Sequence, residues 1–100
     1  MIHVVAIITA KPGQRAAVLE AFAANRPKVL AEDGCIEYGA AVDVESMGTA
    51  AYGPDSFVVI EKWESADHLK AHGAAPHMGD FRAKTKDMVA GRTIHVLRPV

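Results

Sequence analysis

A single cysteine, a single tryptophan and 6% aromatic residues are all that this 100-residue chain carries of the side chains that cross-link a fold or dominate a core. The lone thiol, Cys35, cannot close an internal disulfide, which fits a reducing cytoplasm. Charge of either sign is not in excess: 11 Lys and Arg stand against 12 Asp and Glu. Nucleic-acid binding rests on clustered cations, so this balance excludes that footprint. No apolar run approaches the roughly 18 residues of a membrane span. The N-terminal stretch MIHVVAIITAKPG has neither a basic n-region nor a small-residue cleavage site, so no secretory leader is expected. Repeats, low-complexity tracts, glycine-rich phosphate loops and nucleotide fingerprints are absent too. At 50% hydrophobic, the composition excludes disorder. A small cytoplasmic domain spanning residues 1–100 is therefore expected, with no nucleic-acid or membrane partner. A chain this short buries only about two-thirds of its unfolded surface, so burial against a partner would help it.

The elements follow from periodicity and breakers. Residues 2–9 are β-branched and apolar, and Lys11-Pro12-Gly13 stops them. Val18, Leu19, Phe22, Val29 and Leu30 recur at helical spacing, predicting a helix over 14–32, kinked at Pro27 and ended by Asp33-Gly34. A strand is expected from Cys35 to Val44, a loop through Gly48, Gly53 and Pro54, and a third strand over 56–64. Ser65 is a good N-cap for a short helix from Ala66 to His72, with Gly73 at its C′ position. Pro76 suits the start of another helix, with Met78, Phe81, Thr85 and Met88 on one face and Gly91 at its end. The last strand is expected from Thr93 to Arg98. The order β-α-β-β-α-β is the ferredoxin-like split βαβ pattern, an α+β fold with a four-stranded antiparallel sheet and helices on one face.

Both faces of that sheet are apolar. Ile2, Val4, Ala6 and Ile8 alternate with Val5 and Ile7, and Phe57 and Val59 with Val58 and Ile60. A half-solvated sheet should be polar on its open face, and no second layer is encoded to cover it. A homodimer packing sheet against sheet is the expected solution. Met47 and Tyr52, in the loop from Glu45 to Asp55, are expected to clasp the partner.

Five histidines are the first candidates for chemistry: His3, His68, His72, His77 and His95. His68 and His72, at i and i+4, can share a helix side, but the run lacks the glutamate of a metalloprotease helix, and no metal site is expected. His72 lies three residues from Leu69, on the stripe that faces the sheet. Glu61 and Trp63 share a strand face with Phe57 and Val59. If that face meets the helices, a carboxylate, an imidazole and an indole converge, giving either a general base or a polar network joining helix to sheet. Tyr38 shares a face with Ile36, Ala40 and Val42, so its ring looks inward. Phe81 and Met88 belong to the core. Asn25, on the apolar side of the first helix, answers the backbone carbonyl freed by Pro27. Cys35 has no neighbouring base, and nothing asks for a flavin.

The runs KPGQ (11–14), EDGCIEY (32–38), PDSFVVIEKWES (54–65), HLKAH (68–72) and PHM (76–78), in that order, resemble the quinol monooxygenase family of the antibiotic-biosynthesis monooxygenase superfamily. The resemblance covers essentially the whole chain. It implies a ferredoxin-like dimer whose sheets form an α/β barrel, with a pocket between sheet and helices. It also implies oxygenation of quinol-type or polycyclic aromatic substrates by O2 without metal, heme or flavin. Glu61, Trp63, His72 and His77 fall at or near that pocket. On this basis His72 is the expected base, Glu61 its orienting partner and Trp63 a wall against the substrate ring. His77 and Tyr38 are expected to bind the second oxygen, with Phe81 adding to the substrate wall. Ala6 stands where heme-degrading relatives carry asparagine, which argues against heme. Two alternatives remain open: an isomerase or hydratase of a small, even phosphorylated, metabolite using the same His and Glu, and a non-catalytic dimer that binds a small ligand. No arginine or helix N-terminus is placed in the pocket by sequence alone.

Overall fold

A computed structural model describes residues 1–100. Seven elements run in the order β1 (Ile2–Ala10), α1 (Arg15–Leu30), β2 (Cys35–Ala41), β3 (Ser56–Trp63), α2 (Ala66–Ala74), α3 (Pro76–Thr85) and β4 (Val89–Leu97). The strands form one antiparallel sheet in the order β2-β3-β1-β4. This is the ferredoxin-like α+β arrangement. The α1 helix runs through Pro27 to Leu30.

Alternation on the central strands decides which face is covered. Val4, Ala6 and Ala10 of β1, and Phe57, Val59, Glu61 and Trp63 of β3, are buried beneath the helices. From α1, Val18, Phe22 and Val29 join them. Phe22 stacks on Tyr38 at 5.1 Å and meets Phe57 and Phe81 edge-on at 6.2 and 6.5 Å. On the other face Val5, Ile7, Val58 and Ile60 lie in adjacent register with no element of the chain over them.

Boundaries differ from expectation for identifiable reasons. The β2 strand stops at Ala41 rather than Val44, and it carries a bulge: Cys35 pairs with Trp63 and Glu37 with Lys62, leaving Ile36 as the extra residue. Ile36 is therefore exposed and does not share the inward face of Tyr38. Ser65 caps α2 as expected, its Oγ accepting the His68 amide. Gly73, however, is not the C′ residue. The helix continues to Ala74, and Ala75 is extended (φ −65°, ψ 135°) because a residue before proline is driven out of the helical region. The α3 helix ends at Thr85 rather than near Met88. The Met88 carbonyl accepts the Lys11 amide at 2.8 Å and Val89 pairs with Ala10, so the sheet takes the segment from the helix. Gly91 consequently lies within β4, which begins earlier than Thr93. No helix is long and apolar enough to cross a membrane.

The turn into β2 depends on Gly34. Its φ is +80°, and a Cβ there would lie 2.3 Å from His68 Cγ. Left-handed backbone costs a non-glycine residue about 1–2 kcal/mol, before any clash. Gly34→Ala is expected to lower stability by about 2 kcal/mol, or roughly 10 °C in Tm for a chain of this size. Thermal melts of Gly34→Ala with and without His68→Ala check this: the double variant should recover the part of the clash made by the ring and retain both the backbone part and the contact with the residue-68 Cβ, 2.7 Å away.

Candidate active site

Strands β1, β2 and β3, helix α2 and the turn after α1 meet at the site. The β2 bulge sets Tyr38 directly opposite Glu61 on β3, and Glu61 is opposite Val4 on β1. On α2, His72 is buried (6% exposed) because its stripe rests on this part of the sheet. Trp63 packs against the His72 ring at 4.6 Å between centroids, and Tyr38 meets it edge-on at 5.5 Å. The imidazole is thus walled by two aromatic rings.

Its polar partners come from farther away. His72 Nδ1 is 2.8 Å from Oε2 of Glu32, in the turn after α1. A carboxylate at that distance holds the proton on Nδ1 and leaves the Nε2 lone pair free. On the other edge of the ring, Nε2 lies 4.0 Å from Glu61 Oε1. Glu61 in turn accepts a hydrogen bond from Trp63 Nε1 at 2.9 Å. Glu32 Oε2 also approaches His77 Nε2 at 3.3 Å, without the alignment of a hydrogen bond. His77 Nδ1 meets Asn25 Oδ1 at 3.2 Å, and Asn25 Nδ2 donates to Met78 Sδ.

Burial organises the electrostatics. Removal from water pushes the Glu61 carboxyl above its ordinary range, against the Trp63 hydrogen bond and the nearby His72, which act the other way. Burial also drives the Tyr38 phenol far above its usual value, with Glu61 and Glu32 adding to the effect, so Tyr38 remains a protonated donor. The Cys35 thiol is raised by burial and then by Glu32 and Glu61, which makes it a poor nucleophile. A raised carboxyl makes a pH-dependent contribution to stability. That contribution is present below the unfolded-state value and is lost as pH rises through the folded-state value. Glu61→Gln, which keeps the acceptor for Trp63, is expected to melt close to wild type near pH 4 and above it at pH 8. Melting curves across that range check the sign, and a variant less stable than wild type at pH 8 would contradict it.

Beside His72 and Glu61 opens a cavity of about 730 Å³, lined mainly by apolar side chains including Val4, Ala6, Phe22, Tyr38, Met78 and Phe81. That is the size and character of a small-molecule site. His72, Glu61, Tyr38 and Phe81 all reach its wall. Trp63 and His77 do not. Trp63 is wholly buried behind His72 (0% exposed), where it packs on the imidazole and donates to the Glu61 carboxylate instead of facing the cavity. His77 is turned toward Glu32 and Asn25. Glu61 is not the group that orients His72, since Glu32 occupies Nδ1. His68 is drawn aside by Ser65 Oγ at 2.7 Å and by Asp33 at 3.4 Å. Asn25 orients His77, where the sequence suggested that it answers the backbone. The signal for Glu32 lay in EDGCIEY, but only the fold brings a residue 40 positions away to His72.

A family model for antibiotic biosynthesis monooxygenase matches residues 1–84. The chain belongs to that family. It is 42% identical over 102 residues to the Escherichia coli K12 protein named "Probable quinol monooxygenase YgiN", a match covering 99% of this chain and 98% of the relative. A crystal structure from Pseudomonas aeruginosa superposes with a TM-score of 0.83 at 24% identity, over 99% of this chain and 93% of the other. A solved structure from Nitrosomonas europaea gives 0.85 at 19% identity, over 100% and 99%. These structural likenesses extend over the whole ferredoxin-like unit, including β4.

Proposed function

We propose that this chain is a cofactor-independent monooxygenase that oxidises a quinol or related phenolic aromatic substrate with O2. The observation that supports it most is the clamped imidazole: Glu32 holds Nδ1 while Nε2 is left beside an apolar cavity. His72 Nε2 takes the phenolic proton as general base. Glu61, held by Trp63, stands 4.0 Å away as the second proton-accepting group and, when protonated, as a donor to the substrate oxygen. Tyr38, kept protonated, donates a hydrogen bond to the developing oxyanion, which a dry wall makes worth more than in water. Phe81 packs against the aromatic ring.

The electron-rich anion passes one electron to O2, and the aryloxyl radical and superoxide then combine into a C–O bond. Two further electrons come from the substrate itself. One oxygen atom stays in a hydroxyquinone product and the other leaves as water. The protein's contribution is to hold the anion, exclude solvent and place the base. The bare apolar sheet face supports a homodimer formed sheet to sheet, with the exposed Met47 and Tyr52 of the 45–55 loop reaching the partner.

Oxygen uptake by metal-stripped, cofactor-free protein mixed with a reduced naphthoquinol, with autoxidation subtracted, tests this. Uptake above background with stoichiometric hydroxyquinone is expected, and none from folded protein overturns it. A second reading follows from having two proton-transfer groups side by side on one wall: an isomerase, which would turn over its substrate without consuming oxygen.

A further inference from the structure

We propose that the cavity selects aromatic substrates bearing an anionic substituent, recognised by Arg82, Lys86 and Arg92; this rests on the aromatic-substrate reading above and adds a charge requirement to it. Six residues with titratable side chains line the cavity: Tyr38, Glu61, His72, Arg82, Lys86 and Arg92. Three are basic residues, and Glu61 is the only carboxylate. The chain as a whole is balanced, with 11 basic and 12 acidic residues, so a wall with three cations and one acid is a local arrangement. No carboxylate lies within ion-pairing distance of any of the three, because every ion pair of the fold is made by Lys62, His68, His72 or His77.

The two signs are also separated in space. Glu61 is level with Val4 on β1, whereas Arg92 is level with Ile8, four residues farther along that strand. That offset is about 13 Å along the sheet. Arg82 and Lys86 are at i and i+4 around the end of α3, and Arg82 is tethered by a hydrogen bond from its guanidinium to the Gly73 carbonyl at 3.1 Å. Between the base and the cations the wall is apolar, with Ala6, Ile8 and Ile94 on the sheet side. A fused-ring phenol with its hydroxyl at His72 would place a carboxylate, sulfonate or phosphate on its far edge among these cations. Guanidinium groups suit such oxyanions because their paired N–H donors match two oxygens at once. A cleft lined with one sign of charge also concentrates ligands of the other sign.

The test uses two stable phenols that need neither O2 nor turnover: 2-naphthol and 6-hydroxynaphthalene-2-sulfonate, titrated calorimetrically into the full chain. The sulfonate should bind roughly tenfold more tightly at low salt, the scale of one charge-assisted contact at a partly solvated rim. The preference should shrink with added salt. In the combined variant Arg82→Gln, Lys86→Gln, Arg92→Gln the ratio of the two affinities should fall to within about twofold of one, and Arg92→Gln alone should fall between. Equal affinities in the wild type would overturn the proposal, as would a preference that survives in a folded triple variant. Failure of both phenols to bind would overturn it together with the aromatic site. Selective binding without quinol-dependent oxygen uptake would sustain the charge requirement and sink the oxygenase reading, so the two failures are distinguishable.

Discussion

His72→Ala is expected to lower quinol-dependent oxygen uptake by about 10²–10⁴-fold, the usual cost of removing a positioned general base. The loss should appear in kcat, since the cavity wall that binds the ring is largely apolar and stays in place. Added imidazole should restore part of the activity by entering the space that the side chain leaves. A purely structural role for His72 would show no such rescue. Glu32→Gln is the companion measurement. It keeps the size of the group but removes the charge that fixes the Nδ1 proton, so kcat should fall less than in His72→Ala while KM changes little. Activity in both variants equal to wild type, with unchanged melting curves, would show that this pair carries no proton transfer.

Trp63→Ala carries the largest expected effect on stability. The indole is fully buried, packs on His72 and donates to Glu61. Truncating a large buried aromatic costs about 3–5 kcal/mol. Small domains hold only about 5–15 kcal/mol in total, so this variant should lie close to unfolding at room temperature. Denaturant titration followed by far-ultraviolet circular dichroism is the measurement, because the change removes the only tryptophan. Trp63→Phe separates the two roles. It retains most of the packing, so it should remain folded, but it deprives Glu61 of the hydrogen bond that favours its charged form. The pH profile of activity should then shift in Trp63→Phe while substrate affinity stays near wild type. A Trp63→Ala variant with wild-type stability would show that the rings behind His72 are dispensable.

Much of this was legible in the residues. Alternation along β3 put Phe57, Val59, Glu61 and Trp63 on one buried face, because a period of two admits a single solution once one face is covered. Ser65 and Pro76 announced two helix starts through chemistry confined to one turn. The histidine and carboxylate beside the cavity were likewise visible, His72 through its spacing from Leu69 and Glu61 through its strand face.

The rest depended on contacts that no local pattern encodes. Ile36 became the odd residue in a bulge because of pairing to β3, and residues 89–92 became strand because β1 offered open hydrogen bonds. Glu32 reads as an ordinary polar residue after a helix, and Asn25 as an intruder on an apolar stripe. Only tertiary packing turns them toward His72 and His77. The cations of the cavity were hidden for the same reason: Arg82 and Lys86 look like a solvated last turn, and Arg92 belongs to a stretch of strand that local signals left outside β4.

The contact between Glu32 and His72 joins chain positions 40 apart, across the whole β2-to-α2 passage. The entropy of closing such a loop must be lost before the contact forms. Until then the imidazole has no fixed tautomer and the carboxylate has no histidine to hold. The ordered imidazole is therefore a property of the folded chain: where α2 has parted from the turn after α1, His72 has lost the partner that orients it. On the proposed reading, proton abstraction at His72 is thereby confined to molecules in which the turn after α1 and helix α2 are packed together.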